Sequence, residues 1–253
     1  MEVSEIFFSI QGEGSHVGIP TLFIRLYGCN LHCWFCDTKY TWMDTQSKVY
    51  HVLDDIKRLN ITEHVDLKLY DKEVESHTFT IPELIKKATS KGIRHVTITG
   101  GEPMLQLNTD EGIQFIKELR NFGLRIDIET NGTFVPRNEL QEYGVIDQWN
   151  VSPKLISSGN EDIRFNKNAI EFFTSVSNVI WKFVIDTERD IDEVDQYVQQ
   201  HKIVTNNVYL MPQVRNPEIY NQRMLWLAEL CKQRNYKLSQ RLQVPLYKDT
   251  RGF

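Results

Sequence analysis

Three cysteines, Cys29, Cys33 and Cys36, stand in the stretch CNLHCWFCDT at residues 29–38, directly after the apolar run TLFIRLY and Gly28. Three thiols this close cannot all pair with one another as disulfides, and a shared metal is the chemistry that uses all of them. A structural zinc wants four protein ligands. The remaining cysteine, Cys231, lies far downstream in an amphipathic helical pattern (NQRMLWLAELCKQR) and reads as a small buried hydrophobe. His32 sits between two of the cysteines and would have to fold back to join them. Iron–sulfur cubanes are commonly held by thiolates alone. Three thiolates leave one iron open to bind something else, which is the mark of a catalytic metal. Spacing and ligand count favour a three-cysteine [4Fe–4S] cluster, with structural zinc as the alternative.

The elements that position this loop follow from hydrophobic periodicity. Residues 3–10 read as a first strand, ending at Gln11-Gly12-Glu13-Gly14. That loop is either a plain turn or a segment whose backbone approaches a ligand while Gln11 and Glu13 present hydrogen-bonding groups. Residues 22–26 form a strand that delivers the cysteines at its C-terminal end. Arg25 interrupts it on the face opposite Ile24 and Leu26, so it needs an anionic partner, either a structural carboxylate or a substrate carboxylate. Residues 39–79 lack this order. The segment 49–59 fits a helix, but 43–79 as a whole reads as an irregular, partly exposed insertion.

From residue 80 onward helices and strands alternate. Helices are expected at 82–90 (with Thr80 as N-cap), 111–121, 138–143, around 162–174, 191–201 and 218–234. Strands are expected at 95–99, 124–129, 146–151, 179–185 and 208–211, with 242–246 closing the count. Such alternation implies a parallel sheet with right-handed crossovers. About six β–α units point to an α/β fold, an incomplete parallel β/α barrel in one domain over 1–253, with the iron–sulfur loop at the C-terminal strand ends. Polar or glycine-rich groups follow several strands: Gly100-Gly101-Glu102-Pro103, Thr130-Asn131-Gly132, Ser152-Pro153-Lys154 and Pro212-Gln213. Each alone is a turn; together with the cysteine loop they form one ring around one site.

Composition narrows the function class. The net charge is −5, with 29 basic and 34 acidic residues well mixed, so there is no polybasic groove and nucleic acid is not an expected partner. No apolar run approaches twenty residues and the N-terminus lacks a basic-then-apolar signal, so a soluble, cytoplasmic protein without a membrane partner is expected. Clustered free cysteines fit a reducing compartment.

The C-x3-C-x2-C pattern with an aromatic residue, Phe35, before its last cysteine resembles the radical S-adenosylmethionine (SAM) superfamily, and GGEP resembles its second signature. FFSIQGEG, FIRLYGCNLHCWFCDTKYTW, TGGEPMLQ, ETNGT and SPK, in this order, resemble the 7-carboxy-7-deazaguanine synthases of queuosine biosynthesis. The likeness runs from residue 6 to about 154 and more thinly through KFVID, MPQ and RLQVPLYKDTRG. The resemblance implies that Cys29, Cys33 and Cys36 hold the [4Fe–4S] cluster. Phe35, Cys36, Asp37, Gly101, Ser152, Pro153 and Lys154 would line the SAM site, joined by Glu129 and Asn131. The pterin substrate would meet Ile10, Gln11, Gly12, Glu13, Arg25 and Thr99, with Arg25 on its carboxylate. Thr38 would ligate Mg²⁺, weakly in the absence of substrate because a neutral hydroxyl is a poor sole ligand for a hard cation.

The implied reaction begins with a 5′-deoxyadenosyl radical from SAM, which takes hydrogen from C6 of 6-carboxy-5,6,7,8-tetrahydropterin. Ring contraction and loss of ammonia give 7-carboxy-7-deazaguanine. No side chain need act as acid, base or nucleophile. The resemblance also implies a flavodoxin or ferredoxin as electron donor and a homodimer. The tail departs from the family pattern, with Gln243 where His is frequent and Tyr247 where Trp is common. Two alternatives remain: an activase that makes a glycyl radical on a partner protein, and a non-enzymatic zinc-binding domain.

Overall fold

The computed structural model describes residues 1–253 apart from Lys91, Asp249 and Phe253. Its strands are β1 (Glu2–Ile10), β2 (Pro20–Leu26), β3 (His77–Thr78), β4 (His95–Gly100), β5 (Arg125–Thr130), β6 (Gln148–Val151), β7 (Val179–Ile185), β8 (Val208–Pro212) and β9 (Lys237–Leu238). They form one open sheet in the order β3-β1-β2-β4-β5-β6-β7-β8-β9. From β2 through β9 every pairing is parallel, while β1 and β3 add antiparallel strands at one edge. The crossovers carry α1 (Gln46–Arg58), α2 (Lys72–Glu75) and α3 (Ile81–Thr89) before β4, then α4 (Met104–Leu107) and α5 (Asp110–Asn121) before β5. The later helices are α6 (Asn138–Gln141), α7 (Lys167–Ser175), α8 (Glu188–Gln200), α9 (Pro217–Arg234) and α10 (Gln243–Tyr247). This is the expected partial β/α barrel.

Strand periodicity divides each parallel strand between two environments. Leu22, Ile24, Leu26, Val96, Ile98, Ile126, Ile128, Trp149, Val151, Trp181, Phe183 and Leu210 all belong to one buried apolar cluster shared with the helices. The alternate positions carry Arg25, His95, Thr97, Thr99, Asp127, Glu129, Gln148, Asn150 and Lys182. The concave face of the sheet is therefore polar and charged, an arrangement that demands counter-charges. Helix starts are set locally. Thr80 donates through both N and Oγ1 to Glu83 Oε2, each at 2.8 Å. Thr109 Oγ1 accepts from Gly112 N at 3.1 Å. Asn216 Oδ1 accepts from Glu218 N at 2.9 Å.

Two expectations are corrected. The 43–79 stretch is not irregular throughout. Val49, Val52, Leu53, Ile56 and Leu59 recur at helical spacing, and α1 lays them against Trp34, Trp42 and Met43. That cluster also receives Cys29, Phe35 and Cys36, so the stretch forms the wall behind the cysteine loop. Residues 242–246 are not a strand. Pro245 has no N–H to give a ladder, and the segment instead coils into α10 with Val244 buried beside Val214 and Tyr220. The sheet closes one element earlier on the two residues of β9, too short to leave a periodic signal.

The end of β4 lies hard against the end of β2. Gly101 N donates to Leu26 O at 3.1 Å and Glu102 N to Gly28 O at 2.7 Å. A Cβ on Gly100, whose φ is +129°, would stand 2.2 Å from Leu26 O, and one on Gly101 would stand 2.0 Å from Gly28 O. The glycine pair is thus required by the neighbouring backbone that carries the cysteines. Gly100→Ala should lower unfolding free energy by about 2–5 kcal/mol through steric overlap and backbone strain, read from chemical denaturation.

Candidate active site

The C-terminal ends of the parallel strands open on a cavity of about 260 Å³. Cys29, Cys33, Cys36, Phe35, Asp37 and Thr38 reach it from the loop after β2, Gly101 from the β4 end, Asn131 from the β5 end, and Ser152 and Lys154 from the β6 end. Ile10, Gln11, Gly12, Glu13, Arg25, Thr99 and Glu129 complete the residues expected from sequence. Pro153, expected beside Ser152, is buried but is not among the lining residues.

Each cysteine sulfur sits near a donor. Leu31 N lies 3.4 Å from Cys29 Sγ, Asn160 Nδ2 3.3 Å from Cys33 Sγ and Trp42 Nε1 3.3 Å from Cys36 Sγ. Such donors tune a cluster's potential through its sulfurs. Burial pushes the Cys33 thiol up to about 11 and the Cys29 thiol well above its ordinary value, so free thiolates are disfavoured and bound cations would offset that cost. Tetrahedral zinc with Zn–S near 2.3 Å brings its sulfurs to roughly 3.8 Å of one another. Among the described residues, the three cysteine sulfurs are not all within 4.8 Å of one another. The donor set therefore fits a larger cluster better than a single zinc ion.

A second group of contacts surrounds the β1–β2 loop, residues 11–19. The loop turns down into the concave face of the sheet. Gln11 Nε2 donates to Glu129 Oε1 at 3.2 Å, and Thr99 Oγ1 donates to Glu129 Oε2 at 3.0 Å. Glu129 thus stands with Gln11 and Thr99, whereas Asn131 faces the cysteine loop, donating to Asn30 Oδ1 at 2.9 Å. Lys182 pairs with Glu13 and lies 4.0 Å from Glu129. Burial by itself would raise Glu13, but Lys182 and Arg241 hold its carboxyl below the usual range; for Lys182, the two glutamates outweigh burial and raise it.

Arg25 finds a structural carboxylate. Its Nε lies 3.1 Å from Glu5 Oε2, without hydrogen-bond alignment, and its guanidinium stands 5.2 Å from the Phe7 ring centre. No other carboxylate comes within 4.0 Å of it among the described residues. Burial opposes its charge, but Tyr40 and the carboxylates of Asp37, Glu5 and Glu129 raise its pKa, so it stays cationic. Glu102 has no exposed surface and accepts from Thr130 Oγ1 and Asn131 N at 2.7 Å, tying the β4 end to the β5 end.

The tail reaches the site. Leu242 N donates to Gly12 O at 3.1 Å, Gln243 Nε2 to Glu13 Oε1 at 2.6 Å and Arg241 Nη2 to Asp37 Oδ2 at 2.6 Å. A Cβ on Gly12 would meet Gln243 Oε1 at 2.5 Å and the Leu242 backbone N at 3.3 Å, so the tail packs closely on this glycine. Arg251 reaches Glu5 Oε1 at 3.1 Å and stacks on Tyr40. Sequence reasoning missed Glu5, Asn150, Lys182 and Arg241 as lining residues. Lys182 had a signal, a lone cation within VIWKFVI; Arg241 had none.

The sequence profile of the Radical SAM superfamily matches residues 23–171. The 7-carboxy-7-deazaguanine synthase of Rhodopirellula baltica is 30% identical over 264 aligned residues, covering 99% of this chain and 88% of that one. Its counterpart in Pyrobaculum aerophilum is 28% identical over 254 residues, covering 100% and 97%. Among solved structures, that of QueE from Escherichia coli superposes with a TM-score of 0.63 at 26% identity, covering 94% of this chain and 92% of that one.

Lys182→Met should cost about 1–3 kcal/mol in denaturant unfolding, because it leaves half-buried Glu13 with only Arg241, 3.6 Å away, as a cation among the described residues, and adding Glu13→Gln should recover part of that loss. Because Glu13 is depressed in the folded state, its contribution is present above 4.5 and is lost as pH falls through the lower folded value. The stability gap between wild type and Glu13→Gln should be steady at neutral pH and narrow below about pH 4.5, read from denaturation midpoints.

Proposed function

The chain belongs to the 7-carboxy-7-deazaguanine synthase family of radical SAM enzymes, and we propose from that premise that it contracts 6-carboxy-5,6,7,8-tetrahydropterin to 7-carboxy-7-deazaguanine with loss of ammonia. One observation carries the reading: the cysteine loop, the Gln11–Glu129–Thr99 cluster and Arg25 open on the same cavity. When bound, the cluster and SAM supply one-electron cleavage and a carbon radical. The protein supplies position and exclusion of water. Cys29, Cys33 and Cys36 hold the cluster; Phe35, Gly101, Asn131, Ser152 and Lys154 receive SAM. Arg25 binds the pterin carboxylate from beside Glu5. Gln11, Glu129 and Thr99, already joined by hydrogen bonds, present a fixed row of donors and acceptors to the pterin ring.

Buried Thr38 contributes its hydroxyl to Mg²⁺, with substrate oxygens and water completing the shell. A flavodoxin or ferredoxin delivers the electron, and the chain acts as a homodimer. No helix among the described residues is long and apolar enough to cross a membrane. The activase alternative needs a groove that admits a polypeptide. Here a cavity of about 260 Å³ is lined on one side by Arg241, Gln243, Thr250 and Arg251 of the chain's own tail, which suits a small molecule.

Arg25→Ala should reduce deazaguanine formation about 100-fold or more through lost substrate positioning, while reductive cleavage of SAM to 5′-deoxyadenosine continues. The assay is anaerobic, with reconstituted protein, dithionite, SAM, Mg²⁺ and the carboxytetrahydropterin. Unchanged deazaguanine formation in the variant would remove Arg25 from the substrate site.

A further inference from the structure

Away from the strand-end cavity, at the opposite end of the polar sheet face, the β1–β2 loop places His16 against β4 and β5. His16 Nδ1 lies 2.5 Å from Asp127 Oδ2, and His95 Nε2 lies 2.9 Å from the same oxygen. Among the described residues, His16, His95 and Asp127 are the group that brings three ligand atoms within 4.8 Å of one another. Asp127 has no exposed side-chain surface and the His95 side chain is 4% exposed. The His95 approach lacks hydrogen-bond alignment: both of its ring nitrogens and Asp127 Oδ1 are buried without a hydrogen-bond partner. Orphaned buried donors and acceptors in one small cluster are a costly arrangement for hydrogen bonding alone. A ring nitrogen close to a carboxylate oxygen but pointing beside it is what an ion held between the two requires.

We propose that His16, His95 and Asp127 bind a divalent cation of the zinc class, a site distinct from the cysteine loop and from Thr38. Two imidazoles and one carboxylate suit Zn²⁺, whose N and O ligands stand at about 2.0–2.2 Å, with water as the fourth ligand. Ligand atoms around such an ion are roughly 3.3 Å apart, so His16 and Asp127 need separate by less than about 1 Å. Arg125 also touches the cluster, with Nη2 3.1 Å from His16 Nε2 and Nε 3.7 Å from Asp127 Oδ1. Coordination through Nδ1 leaves the proton on His16 Nε2, and the Arg125 side chain, 46% exposed, then turns toward solvent. The ion would fasten the buried end of the loop whose other end presents Gln11 and Glu13. The neighbouring contact of Gln148 Nε2 with Ser15 Oγ at 2.6 Å anchors the same turn.

The test uses the cluster-reconstituted protein equilibrated with Zn²⁺ and passed through a desalting column. Metal analysis should give one zinc beside about four irons per chain. The zinc K-edge spectrum should show imidazole and oxygen scattering without sulfur. His95→Gln and Asp127→Asn should lose that zinc while keeping the iron, and serine at all three cluster cysteines should keep one zinc and lose the iron. Sulfur around the zinc, no zinc above background in the wild type, or undiminished zinc in the iron-loaded variants would each overturn the site. Should the variants fail to hold iron, the wild-type spectrum decides by itself.

Discussion

A lysine buried in the concave face of a sheet must have its charge answered close by, and here the answer arranges the rest of the molecule. Lys182 points from the middle of β7 into that face, and Glu13 pairs with it from a loop between two distant strands, with Glu129 beyond. The Lys182 side chain is only 6% exposed and that of Glu13 14%, so the loop cannot leave without stranding charges. Its successive residues engage successive strands: Gln11 meets Glu129, Glu13 meets Lys182, Ser15 meets Gln148 and His16 meets Asp127. A loop that would be mobile on the surface becomes a plug with a fixed register. Gln11 and Glu13 are held at the site by those contacts.

The other half of the site depends on steric exclusion. Gly100 and Gly101 let the β4 end close against Leu26 and Gly28, which sets where the cysteine loop leaves the sheet. Behind that loop, α1 and the indoles of Trp34 and Trp42 supply an apolar wall, and Trp42 reaches the Cys36 sulfur. Polar pairing on one side and tight backbone packing on the other place two loops at one cavity. A reaction that takes a radical from one bound molecule to another requires that adjacency.

The alternation of strands and helices after residue 80 was legible because the long parallel strands carry an apolar residue at every second place and helices such as α5 and α8 an apolar stripe. The same alternation held more than the sequence reading took from it. The polar residues between the apolar ones, Asp127, Asn150 and Lys182, already mark the inner face. The Val49–Leu59 stripe was visible too, yet its target was not, since the Trp34 and Trp42 wall forms only when the cysteine loop folds over it. The strand-end motifs were legible as a ring, and each of the four sends at least one residue to the cavity lining, although Pro153, expected at the site, is not among them. Glu129, expected with SAM, is hydrogen-bonded to Gln11 and Thr99, contacts that no local pattern around it announces. Nothing local announces Arg241, because its role exists only once the tail has crossed some two hundred residues of sequence to reach Asp37.

Hydrogen exchange of the wild-type protein measures most directly whether the β1–β2 loop is a pinned plug. The amides of Gln11, Glu13, Gly14 and Gly18 are bonded to Ile19 O, Gln11 Oε1, Ser239 Oγ and Gln11 O. They should exchange as slowly as those of the flanking strands, at least about 1,000-fold below the unprotected rate. Exchange of these amides within seconds, with β2 and β4 still protected, would show a loop free of the sheet and would contradict the account.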